Sequence, residues 1–224
     1  MPGCSTVSGM LPKSWAMPWA AKETCGWLEK NWVAEKAYKT EEIARLLKEA
    51  KGAFKRKAEK AADHGSRTHE LCERFVKEGQ EPLLELEADE VKNAYGLFSK
   101  WAETVKPTWL HSELVVGSEK YMFGGKFDAI CVIDGVTYLI DFKTSNGYDY
   151  YEYPVQTAGY QIACEEMGIK VDKRLILWVP KVGNKFKAHV IPTPLELDKK
   201  CFLACLDIYR CVKDAERIME NEKA

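Results

Sequence analysis

The chain has 224 residues, of which 46% are hydrophobic and 30% are charged, with 33 Lys and Arg against 34 Asp and Glu. This composition excludes a disordered or collagen-like chain, and a chain of this length buries roughly 70% of the surface that it exposes when unfolded. The sequence contains neither a long apolar stretch typical of a membrane span nor the pattern of a signal peptide, so we expect a cytoplasmic protein with reduced cysteines.

The first half of the chain is predicted to be helical. Capping residues and a 3.6-residue period predict helices that begin near Pro18, Thr40, Ser66 and Asp89. Gly65 is expected to separate the second helix from the third, which carries His69. The last of the four helices is expected to end before Pro107.

After residue 108 the apolar period changes from helical to two, which is typical of strands. Strands are predicted at 110–116, 121–133, 136–142, 174–179 and 185–191, with a helix over 154–167 and a final helix from Leu195 to about Glu220. The predicted fold class is α/β (α+β), with a mixed central β-sheet flanked by helices in a single domain over 1–224. Residues 1–107 are expected to form its helical part, 108–193 its sheet core with the candidate functional residues, and 194–224 its C-terminal helix.

Charge is unevenly distributed along this nearly neutral chain. Six basic residues lie between Lys48 and Lys60, whereas Glu78 to Glu90 is an acidic block. A run of like charge is usually a solvated surface, so the basic run only supports an interpretation made on other grounds.

Asp134-Gly135, between two apolar runs, predicts a β-hairpin with a two-residue type I′ turn. If Ile133 pairs with Val136, the register places Phe127, Ala129 and Cys131 on one apolar face, opposite Phe142, Ile140 and Tyr138. The other face then carries Asp128 opposite Asp141, and Lys126 opposite Lys143.

Two carboxylates opposed in a ladder repel one another unless a cation lies between them. A divalent cation such as Mg²⁺ would neutralise Asp128 and Asp141, and Lys143, two residues further along the same face, would reach the bound phosphate or water. The alternative is an ordinary surface ion-pair pattern of these acids with Lys126 and Lys143.

Four motifs in order resemble the PD-(D/E)xK nuclease superfamily, in particular its RecB-like and bacteriophage exonuclease branch. They are Gly65-x-x-x-His69, Gly125-x-x-Asp128, Asp141-x-Lys143 and Gln156-x-x-x-Tyr160. The segment Pro18-Trp19-Ala20-Ala21-Lys22 also resembles phage-encoded members. The resemblance implies a restriction-endonuclease-like core.

The resemblance implies a role for each motif residue. Asp128, Asp141 and Lys143 would be catalytic, and the metal would be held by Asp128, Asp141, the backbone carbonyl of Phe142 and His69.

The remaining candidates support the site. Gln156 and Tyr160 share one helix face and would contact DNA or the active-site lysine. Glu113 is a further acidic candidate, although an exposed strand carboxylate is the more common meaning of such a residue.

The implied activity is Mg²⁺- or Mn²⁺-dependent hydrolysis of DNA from its ends. The setting would be phage replication or recombination in the host cytoplasm, with a recombination or single-strand-annealing protein as a further partner. Two alternatives stay open, namely a structure-selective endonuclease of the same fold and a DNA-binding module without activity.

Some RecB-like adaptation nucleases bind an Fe–S cluster through one early and three late cysteines. Cys201, Cys205 and Cys211, with Cys4 or Cys25, invite that comparison. Their spacing differs from the usual one and they lie in an amphipathic helix, so buried thiols are the preferred interpretation and an Fe–S cluster is not expected.

Overall fold

A computed structural model describes residues 1–145, 147 and 151–222. The helices are α1 (Cys4–Ser8), α2 (Ala16–Asn31), α3 (Thr40–Glu78), α4 (Asp89–Val105), α5 (Glu152–Glu166) and α6 (Leu195–Asn221). The strands are β1 (Thr108–Ser112), β2 (Val115–Ser118), β3 (Phe123–Lys126), β4 (Ala129–Ile133), β5 (Val136–Lys143), β6 (Lys173–Trp178) and β7 (Lys187–Val190). Within these described residues, none of the helices combines the length and apolar character that crossing a bilayer requires.

The chain divides into two compact units. The first unit comprises Met1–Leu11 and Gly65–Ala224, and the second comprises Pro12–His64. The prediction of a single domain over 1–224 stays a prediction.

The first unit is built on a five-stranded sheet of order β1-β4-β5-β6-β7. β4 and β5 form the antiparallel hairpin, β6 runs parallel to β5, and β7 is antiparallel to β6. The parallel pair requires a crossover, which α5 supplies. The predicted α+β class, with a mixed sheet flanked by helices, is therefore confirmed.

Helices cover both faces of this sheet. One face packs against α4 and the C-terminal part of α3, in a core that includes Leu71, Tyr95, Phe98, Cys131, Ile140 and Phe142. The other face packs against α1, α5, α6 and the two-stranded β2-β3 ribbon, in a core that includes Cys4, Phe123, Ile130, Leu139, Tyr160 and Phe202. Any functional group on the sheet must therefore lie at the end of a strand, where the helices leave room.

The second unit consists of α2 and the first part of α3. Trp19 of α2 and Phe54 of α3 lie edge to face, with ring centroids 6.3 Å apart. Lys57 donates to Glu23 at 2.7 Å. Ala50 is the one residue between Pro12 and His64 that is fully buried, so this unit has little core of its own.

The predicted helix break at Gly65 is wrong, because α3 runs without interruption from Thr40 to Glu78. A Cβ at Gly65 would lie 3.1 Å from Thr144 Oγ1. The glycine therefore allows the helix to pass closely over the end of β5, and does not end it.

Two predicted strands are each divided in two. The first is interrupted at Glu113, whose φ of 53° is left-handed, so that β1 joins the main sheet and β2 joins the ribbon. The second is interrupted at Phe127 and Asp128, between β3 and β4. The chain crosses from the main sheet to the ribbon at the first interruption and returns to the main sheet at the second.

The predicted hairpin register is confirmed from Ile133↔Val136 to Ala129↔Ile140. The ladder ends there, so the prediction that Asp128 lies directly opposite Asp141 is wrong. The backbone carbonyl of Asp128 instead accepts a bond from the Glu113 N–H at 2.9 Å.

Two neighbours of Asp128 are also placed differently from the prediction. Phe127 packs in the α1, α5 and α6 core, and not on the face of Ala129. Lys126 belongs to β3, where it pairs with Val115 and forms an ion pair with Glu113, so it does not oppose Lys143.

Candidate active site

Asp128 is fixed by contacts to both of its carboxylate oxygens. Oδ2 accepts the Phe142 backbone N–H at 2.6 Å, and Oδ1 lies 3.0 Å from His69 Nδ1. The His69 ring packs edge to face on the Phe142 ring, with centroids 5.9 Å apart. Since Asp128 is 9% exposed, its carboxylate is held in one position beside the end of β5.

The side chains of Asp141 and Lys143 project from the same face of β5, as strand alternation requires. Lys143 Nζ lies 2.6 Å from Asp141 Oδ2. That oxygen is buried and lacks a well-directed hydrogen bond, so the contact is an ion pair. Asp141 is 3% exposed, and a buried carboxylate oxygen without a directed donor is an acceptor for another group.

Helix α5 holds the ammonium of Lys143 from the other side. Lys143 Nζ donates to Gln156 Oε1 at 3.0 Å, and Gln156 Nε2 donates to the Tyr160 hydroxyl at 3.0 Å. The Tyr153 ring also faces Nζ, with its centroid 4.9 Å away. The i, i+4 spacing of Gln156 and Tyr160 thus produces a chain of hydrogen bonds from Lys143 through Gln156 to Tyr160, which we call the relay.

Gly125 makes room for this relay. A Cβ at position 125 would lie 2.7 Å from Tyr160 Cε1 and 2.8 Å from Cys4 Sγ. These distances are far below van der Waals contact, so only glycine fits without moving the Tyr160 ring. The glycine of the Gly-x-x-Asp motif therefore serves side-chain packing.

The pKa values of Asp128, Asp141 and Lys143 are shifted by different combinations of burial and neighbouring charge. Burial raises the pKa of Asp128, but the charge of His69 and the hydrogen bond from it lower that pKa to below its ordinary value. Burial raises the pKa of Asp141, Lys143 offsets part of this effect, and the charge of Asp128 raises the Asp141 pKa further. Burial lowers the pKa of Lys143, but Asp141 raises it above its ordinary value, so Lys143 stays protonated.

Three side chains form a set suited to a divalent cation. Ligand atoms of His69, Glu113 and Asp128 all lie within 4.8 Å of one another. Two ligands of one ion lie about 3 Å apart when adjacent and about 4.5 Å apart when opposite, given metal–oxygen bonds of about 2.1–2.4 Å. The imidazole and carboxylate donors of this group therefore fit the metal that the sequence motifs imply, and Asp141 is not a member of the group.

Glu113 lies closer to the other candidate ligands than its place in the sequence indicated. Its carboxylate is half-buried beside His69 and Asp128, and burial raises its pKa. Its left-handed backbone costs about 1 kcal/mol or more, and such strain is common at functional sites. A β-period pattern cannot reveal a residue with this conformation, so the sequence indicated Glu113 only as a further acidic candidate on a strand.

The structure brings the remaining predicted residues together. His69, Asp128, Asp141, Lys143, Gln156 and Tyr160 are linked through the contacts described above. The ligand role of the Phe142 carbonyl stays a prediction, while the Phe142 N–H has a definite role in holding Asp128.

The cysteines considered for an Fe–S cluster lie in different environments. Cys4 and Cys205 are buried, Cys201 is half-buried, and Cys25 and Cys211 are exposed. Burial raises the pKa of Cys4 to about 12. Among the described residues, His69, Glu113 and Asp128 are the one group of three whose side chains are placed to hold a metal ion.

Comparison with known proteins gives structural matches only. No family model and no curated protein matches the chain. A candidate exonuclease of Eubacterium rectale matches over 83% of this chain and 70% of its own, at 12% identity and a TM-score of 0.43. An alkaline exonuclease of Laribacter hongkongensis matches over 69% of this chain and 85% of its own, at 15% identity and a TM-score of 0.35.

A third solved structure matches over 51% of this chain and 56% of its own, at 16% identity and a TM-score of 0.31. The match thus spans little more than half the length of that protein. Two of these three proteins are described as exonucleases. All three TM-scores are below 0.5, so the argument for function rests on the arrangement of residues in the site.

Proposed function

We propose that this chain is a divalent-metal-dependent deoxyribonuclease that hydrolyses phosphodiester bonds at the ends of linear DNA. The observation that carries the proposal is the pair of buried carboxylates, Asp128 and Asp141, with the protonated Lys143 held between Asp141 and Gln156. Burying two carboxylates and an ammonium together costs free energy. Such groups are concentrated at functional sites.

His69, Glu113 and Asp128 would hold the metal, with a carboxylate oxygen of Asp141 as a further donor. When bound, a cation such as Mg²⁺ or Mn²⁺ would neutralise charge on the phosphate and supply a water that ionises near neutral pH. The imidazole Nδ1 contact to Asp128 would fix which way this carboxylate faces.

Lys143 acts as a charged donor in this proposal, because Asp141 holds the pKa of its ammonium above the ordinary value. Its ammonium donates to Gln156 and forms an ion pair with Asp141, which leaves an N–H for a phosphate oxygen or the attacking water. A donor held before the reaction starts stabilises the transition state without reorganisation. Gln156 and Tyr160 are positioning residues, because they act through Lys143.

The test compares end-labelled linear DNA and closed circular DNA in Mg²⁺, Mn²⁺ or EDTA. Asp141→Asn removes a charge from the site, and we expect it to lower the rate at least about 100-fold. Asp134→Asn is the matched control, since it removes a carboxylate from the exposed turn of the same hairpin and Asn-Gly keeps the turn type. It should cut at the wild-type rate.

Each alternative has its own outcome. Efficient cutting of closed circles would indicate an endonuclease, and no metal-dependent cleavage by pure wild type would leave a DNA-binding module. Undiminished cleavage by Asp141→Asn would place the chemistry elsewhere.

The biological setting that we propose is the replication or recombination of phage DNA, together with a single-strand-annealing partner. Its support is the resemblance of the segment around Pro18 and of the site motifs to phage-encoded exonucleases.

A further inference from the structure

The two units of this nearly neutral protein carry opposite net charge. Residues 12–64 contain 12 Lys and Arg against 8 Asp and Glu, whereas the rest of the chain contains 21 against 26. The second unit is therefore cationic by 4 and the first is anionic by 5. The charge that attracts a polyanion is concentrated in the unit that contains α2 and the start of α3.

Within the second unit, three lysines of α3 lie on one side of the helix. Residues 48, 51 and 55 fall within about 60° of one another at about 100° per residue, and we call Lys48, Lys51 and Lys55 the basic stripe. All three are exposed. At a rise of about 1.5 Å per residue the stripe is about 10.5 Å long, which matches about three phosphates of one strand along a DNA duplex.

The basic stripe differs from Lys36, Arg56 and Lys57 of the same unit because it is largely unpaired. Lys36, Arg56 and Lys57 form ion pairs with Glu42, Glu49 and Glu23 at 2.9, 3.3 and 2.7 Å. In the described part of the chain, Lys48 and Lys51 have no carboxylate within ion-pair distance. Lys55 has a loose contact of 3.8 Å to Glu59, in which both side chains are mostly exposed.

Exposed aromatic rings lie in the same unit as the basic stripe. Phe54, next to Lys55 in sequence, is 38% exposed, and Trp15 is 54% exposed. Trp19 connects them, with ring centroids 6.3 Å from each. Lysines beside exposed rings are a combination found on surfaces that bind nucleic acid strands, where phosphates meet the cations and unpaired bases meet the rings.

We propose that the basic stripe is a DNA-binding surface separate from the site of cleavage, and that it contacts the phosphate backbone. The inference deepens the proposed function, since it takes DNA as the ligand. The stripe supplies affinity without sequence preference, because phosphate contacts carry no sequence information. It plays no part in the cleavage step.

The test measures the salt dependence of DNA binding in EDTA, where no cutting occurs. A short fluorescein-labelled duplex is titrated by fluorescence anisotropy from about 50 to 200 mM salt. Replacing the stripe by Lys48→Gln, Lys51→Gln and Lys55→Gln should reduce the slope of log K against log salt by about 2–3, since each lost phosphate contact removes about 0.9. Glutamine keeps the helix, because its propensity is close to that of lysine.

The matched control removes the same number of charges from paired cations of the same unit, by Lys36→Gln, Arg56→Gln and Lys57→Gln. Its slope should change by less than about 1. Equal slopes for the stripe variant and the wild type, or equal losses for the stripe and control variants, would overturn the proposal. Circular dichroism and the melting temperature establish that both variants fold.

Failure of this inference is distinguishable from failure of the proposed function. Wild type that binds DNA through the basic stripe but never cuts would refute the nuclease and leave the binding surface. Wild type that cuts with metal, while the stripe variant keeps the wild-type salt slope, would refute the binding surface and leave the nuclease.

Discussion

Gly159 of α5 lies where the helix that carries Gln156 and Tyr160 meets α6, and its replacement gives a sharp test of this packing. A Cβ at position 159 would lie 2.4, 2.6 and 2.9 Å from three carbons of the Phe202 ring. Phe202 is fully buried and packs edge to face on Phe123 at 4.8 Å, so the ring has no space into which it can move.

The expected effect of Gly159→Ala follows from two opposing contributions. Alanine favours a helix interior over glycine by about 1 kcal/mol. Overpacking of an enclosed ring costs about 3 kcal/mol, the upper end of the usual range, because carbon atoms normally stay about 3.5–4.0 Å apart. We therefore expect Gly159→Ala to lower the free energy of unfolding by about 2 kcal/mol.

Gly96→Ala in α4 is the matched control. Gly96 is exposed, and a Cβ there would meet no atom within 4 Å. Only the helix preference applies at this position, so we expect a gain of about 1 kcal/mol. The two variants differ only in what surrounds the added methyl group.

Urea unfolding followed by circular dichroism measures both changes, and an unchanged m-value would establish that the denatured state is unaffected. Adding Phe202→Leu to Gly159→Ala should recover more than about 1 kcal/mol relative to the sum of the single changes. If both alanine variants stabilise the protein equally, the close approach of α5 and α6 at Phe202 is refuted.

Two further predictions concern charged groups. Asp198→Ala would leave the buried Arg174 guanidinium without the carboxylate that it contacts at 2.7 Å, and should cost about 3–5 kcal/mol in urea unfolding; a loss below about 1 kcal/mol would contradict the burial of this pair. In EDTA, burial lowers the pKa of His69 but Asp128 raises it to above its ordinary value of 6.5. The stabilisation from this pair is therefore complete below pH 6.5 and is lost as the pH rises through the folded pKa of His69. Unfolding curves at several pH values should show this loss for wild type and not for Asp128→Asn. Identical pH profiles for the two proteins would refute the pairing.

Local signals in the sequence were sufficient for the hairpin and the helix that follows it. Asp134-Gly135 fixes a two-residue turn, and the turn fixes the register as far as Ala129↔Ile140. The i, i+4 spacing of Gln156 and Tyr160 likewise placed both side chains on the face of α5 that meets Lys143. These features depend on residues close together in the chain.

The features that sequence reasoning missed depend on contacts between distant parts of the chain. In the sequence Gly65 indicates a helix break, whereas in the structure it allows the helix to pass close to Thr144. Glu113 looks like a strand residue until the chain is seen to change sheets there. Asp128 leaves the ladder because it pairs with Glu113, a contact that the hairpin alone does not encode.

The close fit of Gly125 against Tyr160 has an evolutionary consequence. Since any side chain at position 125 would meet both the Tyr160 ring and Cys4, a substitution there is tolerated only when position 160 becomes smaller and Cys4 also changes or moves in the same lineage. Relatives of this chain are therefore expected to keep both residues or to lose both, and covariation of these two columns would identify members that retain the relay to Lys143.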